Sequence, residues 1–162
     1  MEAIYERVPG VSDVVSGFAG GTQSNPSYES HGSHTETVEI TYDPEKVTYE
    51  KLVRIFYTSH DPTNARGVAP DFGPSYRPAL FYRTPDELAT IERVKADVQK
   101  GLKKPVATQI VPFEKFWPAD AYHQDFVRRN PDQSYVRNVS LPRVKETLGQ
   151  QAAGDPRPDQ RE

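Results

Sequence analysis

Three short stretches of this chain concentrate residues able to do chemistry: Asn25-Pro-Ser-Tyr28, His31-Gly-Ser-His34-Thr-Glu36 and Asp71-Phe-Gly-Pro-Ser-Tyr76. A phenol in a loop rich in Pro and Gly usually packs its ring and turns its hydroxyl to water, so no single tyrosine stands out. Glu36 says more. It falls in the first residues of a strand otherwise built from β-branched and apolar residues, beside a histidine and a long loop. On pattern alone it is either an exposed strand-end carboxylate or a carboxyl placed for function. His31, His34 and Glu36 also share the spacing His-x-x-His-x-Glu, a ligand set that zinc accepts and that a metal-dependent hydrolase would use. The histidines precede a strand and lack the helical i, i+4 spacing that aims two imidazoles at one ion, so no metal is expected. His60-Asp61 reads as a polar pair at a helix end, and His123 as a residue on a polar helix face.

Composition narrows the chemistry. The 162 residues include no cysteine, which excludes disulfides, thiolate metal sites and thiol catalysis by these residues themselves. A net charge of −3 and the lack of any basic run argue against a nucleic-acid partner. No apolar stretch approaches membrane-spanning length, and the first residues lack the basic and apolar regions of a secretory leader. The expectation is a cytoplasmic protein with no membrane partner.

The elements that would position these residues can be read from periodicity. Ala3, Ile4 and Tyr5 lead at once into Val8-Pro9, as if the chain began inside a helix. Residues 13–21 form a β-rich run stopped by Gly20-Gly21, and residues 22–33 an ordered loop. Thr35 to Tyr42 alternates as a half-buried strand. Tyr49, Leu52, Val53 and Phe56 share one helical face behind the N-cap candidate Thr48, with the helix ending near Ser59. After a loop reaching Ser75, residues 77–82 form a short strand. Thr84-Pro85-Asp86-Glu87 is a capping box with proline at the first helical position, opening a helix to about Lys100. Residues 106–113 read as a strand, and a helix after Pro118 should turn Tyr122, Phe126 and Val127 inward. Residues 149–162 carry no large apolar side chain and read as a disordered tail behind one domain, 1–148. The order helix, β, β, helix, β, helix, β implies a two-layer α+β sandwich. It fits a ferredoxin-like arrangement if one more strand lies ahead of Met1.

Taken together, nine segments resemble the A-type peptide methionine sulfoxide reductases. They are Val8-Pro-Gly10, Val15-Ser-Gly-Phe-Ala-Gly-Gly21, Asn25-Pro-Ser-Tyr28, His34-Thr-Glu36 and Thr41-Tyr-Asp-Pro44. They continue through His60-Asp-Pro-Thr63, Gly73-Pro-Ser-Tyr-Arg77, Ala79-Leu-Phe-Tyr82 and Tyr122-His-Gln-Asp125. The match runs in order over residues 1 to about 131. It implies a ferredoxin-like α+β fold, here without its first strand, and reduction of the S-epimer of methionine sulfoxide, free or in proteins, to methionine. A thioredoxin-type thiol is the implied reductant, and no cofactor is expected.

The resemblance also assigns roles. The family's nucleophile is a cysteine in a Gly-Cys-Phe-Trp motif, whose place would be just before Met1. Selenocysteine there, its UGA codon read as a stop, is one way such a sequence would be cut short. The same motif's Phe and Trp, which would cradle the substrate methyl group, would lie there too. Glu36 corresponds to the acid that protonates the leaving sulfoxide oxygen, its carboxyl kept protonated by desolvation. Tyr28 and Tyr76 correspond to phenols that hydrogen-bond that oxygen. Asp71 corresponds to a carboxylate that holds water or helps the regenerating thiol. Three departures stand out: Ser33 and Thr35 flank His34 where the family usually has Gly and Ala, the loop Asn64-Ala-Arg-Gly-Val-Ala-Pro-Asp71 differs from the family's usual Asn-Arg-Gln-Gly run, and no carboxyl-terminal cysteines are present to resolve the oxidised nucleophile. The expectation is a reductase whose nucleophile lies upstream of Met1, inactive as the bare 162 residues. The alternative is a catalytically dead paralogue that binds methionine sulfoxide without reducing it.

Overall fold

Two threonine caps and a run of alternating β-branched residues set the main divisions of the chain. The computed structural model describes residues 1–152. They form α1 (Glu2–Tyr5), β1 (Val11–Ala19), β2 (Thr35–Tyr42), α2 (Tyr49–Thr58), β3 (Gly67–Val68), β4 (Asp71–Phe72) and β5 (Ala79–Tyr82). The chain continues through α3 (Pro85–Lys100), β6 (Gln109–Pro112), β7 (Phe116–Pro118), α4 (Phe126–Arg129) and α5 (Leu141–Ala152). Thr48 Oγ1 accepts the Lys51 N–H at 3.1 Å and Thr84 Oγ1 accepts the Glu87 N–H at 3.1 Å. Each cap satisfies an amide that the first turn of its helix leaves without a partner.

The architecture is a mixed α/β fold with small sheets. β1 lies between β2 and β7, antiparallel to both, β3 and β4 make a two-residue hairpin, and β5 pairs with β6 in parallel. The parallel pair needs a crossover, which α3 supplies. Among the described residues, β2 and β5 each keep one edge without a strand partner. Gly17 is where β1 and β7 come closest: a Cβ there would sit 2.3 Å from the Trp117 carbonyl oxygen. Only glycine fits that approach.

Apolar side chains gather in two clusters that share α2. Leu52 and Ile55 face Ile4, Tyr5 and Val14 on one side. Val53 and Tyr57 face Ile91, Val94 and Val98 on the other. Ile91 and Val94 are fully buried, each removing enough apolar surface from water to contribute roughly 1.5–3 kcal/mol. The Tyr5 hydroxyl donates to the Leu52 carbonyl at 2.9 Å and ties α1 to α2.

Several expectations need correction. The segment after Pro118 is not one helix but a 3-10 turn at Ala121–His123 and the four-residue α4. The Gln124 side chain explains the break. Its Oε1 accepts the Ser16 N–H at 2.8 Å and its Nε2 donates to the Ser16 carbonyl at 2.8 Å, as a strand neighbour would. Tyr122, expected to point inward, is 66% exposed. The strand expected over 106–113 is ordered as strand only at Gln109–Pro112. β7 and α5 were not expected at all. Gly149, Gln150 and Gln151, assigned by composition to a disordered tail, continue α5, and Gln151 Nε2 donates to Thr58 Oγ1 at 3.1 Å. Residues 153–162, the rest of that stretch, lie outside the described residues. No helix among the described residues is long and apolar enough to cross a membrane.

Candidate active site

The β1–β2 register sets Glu36 opposite Phe18, a fully buried residue, so this end of β2 faces the interior rather than water. Glu36 lines a cavity of about 700 Å³, and Tyr28, Asp71 and Tyr76 line the same cavity. All four residues singled out in the sequence are thus brought together. Val38, Phe116, Phe126 and Val127 give part of the wall an apolar character.

Each polar group arrives on a separate support. Tyr28 hangs in the loop between β1 and β2, its ring edge-on to Phe18 at 5.1 Å and packed against His123 at 3.9 Å. That loop is held by His34, which is 1% exposed. His34 Nδ1 accepts the Gly21 N–H at 3.1 Å, so Nε2 carries the proton and donates to the Gln23 carbonyl at 2.7 Å. Tyr76 ends a 3-10 turn, Pro74–Tyr76, fastened to the start of β2. Thr35 Oγ1 lies 2.9 Å from the Ser75 carbonyl and 3.1 Å from that of Arg77, and the Arg77 guanidinium donates to the Ser33 carbonyl at 2.9 Å. Asp71 opens β4 and accepts a hydrogen bond from the Tyr135 hydroxyl.

Burial is the main cause of the site's electrostatics. Desolvation raises the Glu36 carboxyl from its ordinary value to about 7. A hydrogen bond from Tyr76 and the Met1 amino group oppose this, and the Asp71 charge adds to it. Burial and the nearby Glu36 charge also raise both Tyr28 and Tyr76, so the phenols stay protonated. His60, at the end of α2, is pushed down to about 4 by burial and is neutral. The cavity therefore presents a carboxyl that titrates near neutrality beside two un-ionised phenols, within a partly apolar wall. Such groups bind a neutral acceptor oxygen and can hand it a proton.

The zinc set suggested by His31, His34 and Glu36 does not assemble. Both His34 nitrogens are spent on the loop backbone, which leaves no lone pair for an ion. His31 stacks on Phe18 with centroids 6.4 Å apart. His123, expected on a polar helix face, instead backs Tyr28 and lines the cavity. Tyr135 and Arg143 also line it and were missed by sequence reasoning. Their partners, Asp71 and the Ala69 carbonyl, lie 64 and 74 residues away, beyond any local pattern.

A pocket of this kind fits an enzyme that protonates an oxygen as it leaves a largely apolar molecule. The chain belongs to the peptide methionine sulfoxide reductase family, whose model matches residues 1–155. It is similar to the peptide methionine sulfoxide reductase MsrA of Thermus thermophilus, 38% identical over 148 residues that cover 89% of this chain and 84% of that protein. It is 42% identical over 146 residues to the peptide methionine sulfoxide reductase MsrA/MsrB of Vibrio cholerae, covering 86% of this chain but only 39% of that longer protein. Its fold is like that of methionine sulfoxide reductase A of Corynebacterium diphtheriae, with a TM-score of 0.71 at 29% identity, over 80% of this chain and 69% of the other.

Proposed function

We propose that the protein serves the reduction of methionine-S-sulfoxide, free or within proteins, to methionine, with Glu36 as the acid. The observation that carries this reading is the Glu36 carboxyl, raised to about 7 by burial in a cavity it shares with Tyr28 and Tyr76. A sulfoxide is uncharged, and its oxygen accepts hydrogen bonds strongly. The protonated Glu36 carboxyl donates to that oxygen, and Tyr28 and Tyr76 take up the negative charge that develops on it. The apolar wall receives the thioether end of the side chain. Asp71 stands at the same cavity to hold water or to assist a thiol.

The reaction balances with two thiol groups: they become one disulfide, the sulfoxide oxygen leaves as water, and the thioether is released. The chain has no cysteine, so the attacking thiol or selenol comes from outside these 162 residues. A thioredoxin-type dithiol is the reductant in this reading, and the cytoplasm its setting. The finer fold reading is a ferredoxin-like sandwich. Its support is that β5 and β6 pair in parallel across the α3 crossover and that β2 and β5 each keep an edge without a strand partner among the described residues.

Binding of the separate S and R epimers of N-acetylmethionine sulfoxide, followed by NMR, tests the proposal. The S-epimer should bind about tenfold or more tightly than the R-epimer. Tyr28→Phe and Tyr76→Phe should each weaken it by roughly 0.5–1.5 kcal/mol, the net worth of one hydrogen bond. Equal affinity for the two epimers, or none for either, would overturn the assignment.

A further inference from the structure

Tyr135 faces the same cavity as Glu36, Tyr28, Tyr76 and Asp71, yet the proposed reaction gives it no part. Its hydroxyl donates to the Asp71 carboxylate from a segment 64 residues further along the chain. Asp71 needs such help. It sits on β4, a two-residue strand whose only strand partner among the described residues is the two-residue β3. So short a hairpin does not fix a side chain by its own ladder. A second tie comes from the same carboxyl-terminal segment: the Arg143 guanidinium donates to the Ala69 carbonyl, in the turn between β3 and β4. The segment is itself anchored, because Val136 is fully buried beside Tyr135 and Val144 packs into the cluster of Ile4, Tyr5 and Leu52.

We propose that Tyr135 is a positioning residue, which holds the Asp71 carboxylate toward Glu36 while Arg143 fixes the turn that carries it. The consequence is electrostatic. Asp71 is the negative charge that helps keep the Glu36 carboxyl protonated, and a carboxylate released toward water loses most of that influence. The other groups around Glu36 come from different elements. Tyr76 hydrogen-bonds it from the 3-10 turn, the Met1 amino group ahead of α1 opposes the rise, and Tyr28 stands in the β1–β2 loop with Glu2 of α1 acting on it. Arg143 on α5 acts on Tyr135 and on the Met1 amino group, and His60 at the end of α2 is neutral. Of these groups, Tyr135 ties only Asp71.

The inference rests on Glu36 being the acid of the site, but its test needs no sulfoxide, so the two proposals fail separately. The Glu36 carboxyl is titrated by carbon-13 NMR in the full chain and in Tyr135→Phe, Asp71→Asn and the double variant. Tyr135→Phe should move the Glu36 midpoint down by roughly half a pH unit, and Asp71→Asn by at least as much. The double variant should match Asp71→Asn alone, since the tyrosine acts through the aspartate. A Tyr135→Phe protein with a lowered melting temperature and an unmoved Glu36 midpoint would make the contact merely structural and overturn the proposal. So would shifts that simply add in the double variant.

Discussion

Glu36 on β2 and Glu50 on α2 meet opposite surroundings. Glu50, in the first turn of α2, takes Arg54 at 2.7 Å and Arg93 at 2.9 Å, and Arg54 continues to Asp97 at 3.1 Å. Those hydrogen bonds hold its carboxyl below the usual range. Glu36 has no ion pair among the described residues, and burial holds its carboxyl well above that range, at about 7. On the helical side Glu50 and Asp97 are neutralised by Arg54, Arg93 and Lys100. In the cavity burial leaves the Glu36 carboxyl without an ion-pair partner among the described residues, which is what the proposed acid needs to keep its proton near neutral pH.

The largest effect that would sharpen this contrast is expected in the apolar core beneath the ion pairs. Ile91→Ala should cost roughly 2–5 kcal/mol in chemical denaturation, because Ile91 is fully buried against Val53 and Tyr57. It should leave the Glu36 titration in place. A moved Glu36 midpoint would show that the two sides are coupled.

Glu36→Gln comes next, with the opposite sign. A carboxyl raised in the folded state contributes stability that is full below its unfolded value and is lost as pH rises through about 7. Removing its charge should therefore stabilise the protein at alkaline pH by roughly 1–2 kcal/mol after solvent screening, and do little in acid. Thermal melts across pH check this, and a loss of stability above neutrality would contradict it. Thr84→Ala should cost about 1 kcal/mol through loss of the α3 cap.

Glu50→Gln should be the mildest, at about 0.2–1 kcal/mol near neutral pH, shrinking with added salt. Its carboxyl is depressed, so this contribution is present above the unfolded value and disappears as pH falls through the folded one. A Glu50→Gln penalty that persists in strong acid or high salt would show that packing, rather than charge, is lost.

The same divide marks what the sequence could reveal. Thr48 and Thr84 act within one turn of their helices, and their roles are visible in sequence because capping is local. Local pattern drew attention to Glu36 and to the stretches holding Tyr28, Asp71 and Tyr76, their roles came from the series of matching segments, and the structure brings all four to one cavity. β7 escaped notice because three residues carry no period, and its pairing depends on Gly17 a hundred residues earlier. α5 was hidden by the polar residues that follow it, although Leu141, Val144 and Leu148 keep helical spacing. Tyr135 and Arg143 were invisible for a different reason. A hydrogen bond spanning 64 or 74 residues leaves no trace in local pattern.

The most direct measurement is the affinity for the S-epimer of N-acetylmethionine sulfoxide as a function of pH. If the protonated Glu36 carboxyl holds the sulfoxide oxygen, affinity should be constant in mild acid and weaken about tenfold per pH unit above a midpoint near 7. Glu36→Gln should abolish that dependence. Affinity that is flat through neutrality in the unmodified protein, or a pH profile that survives Glu36→Gln, would show that Glu36 is not the acid.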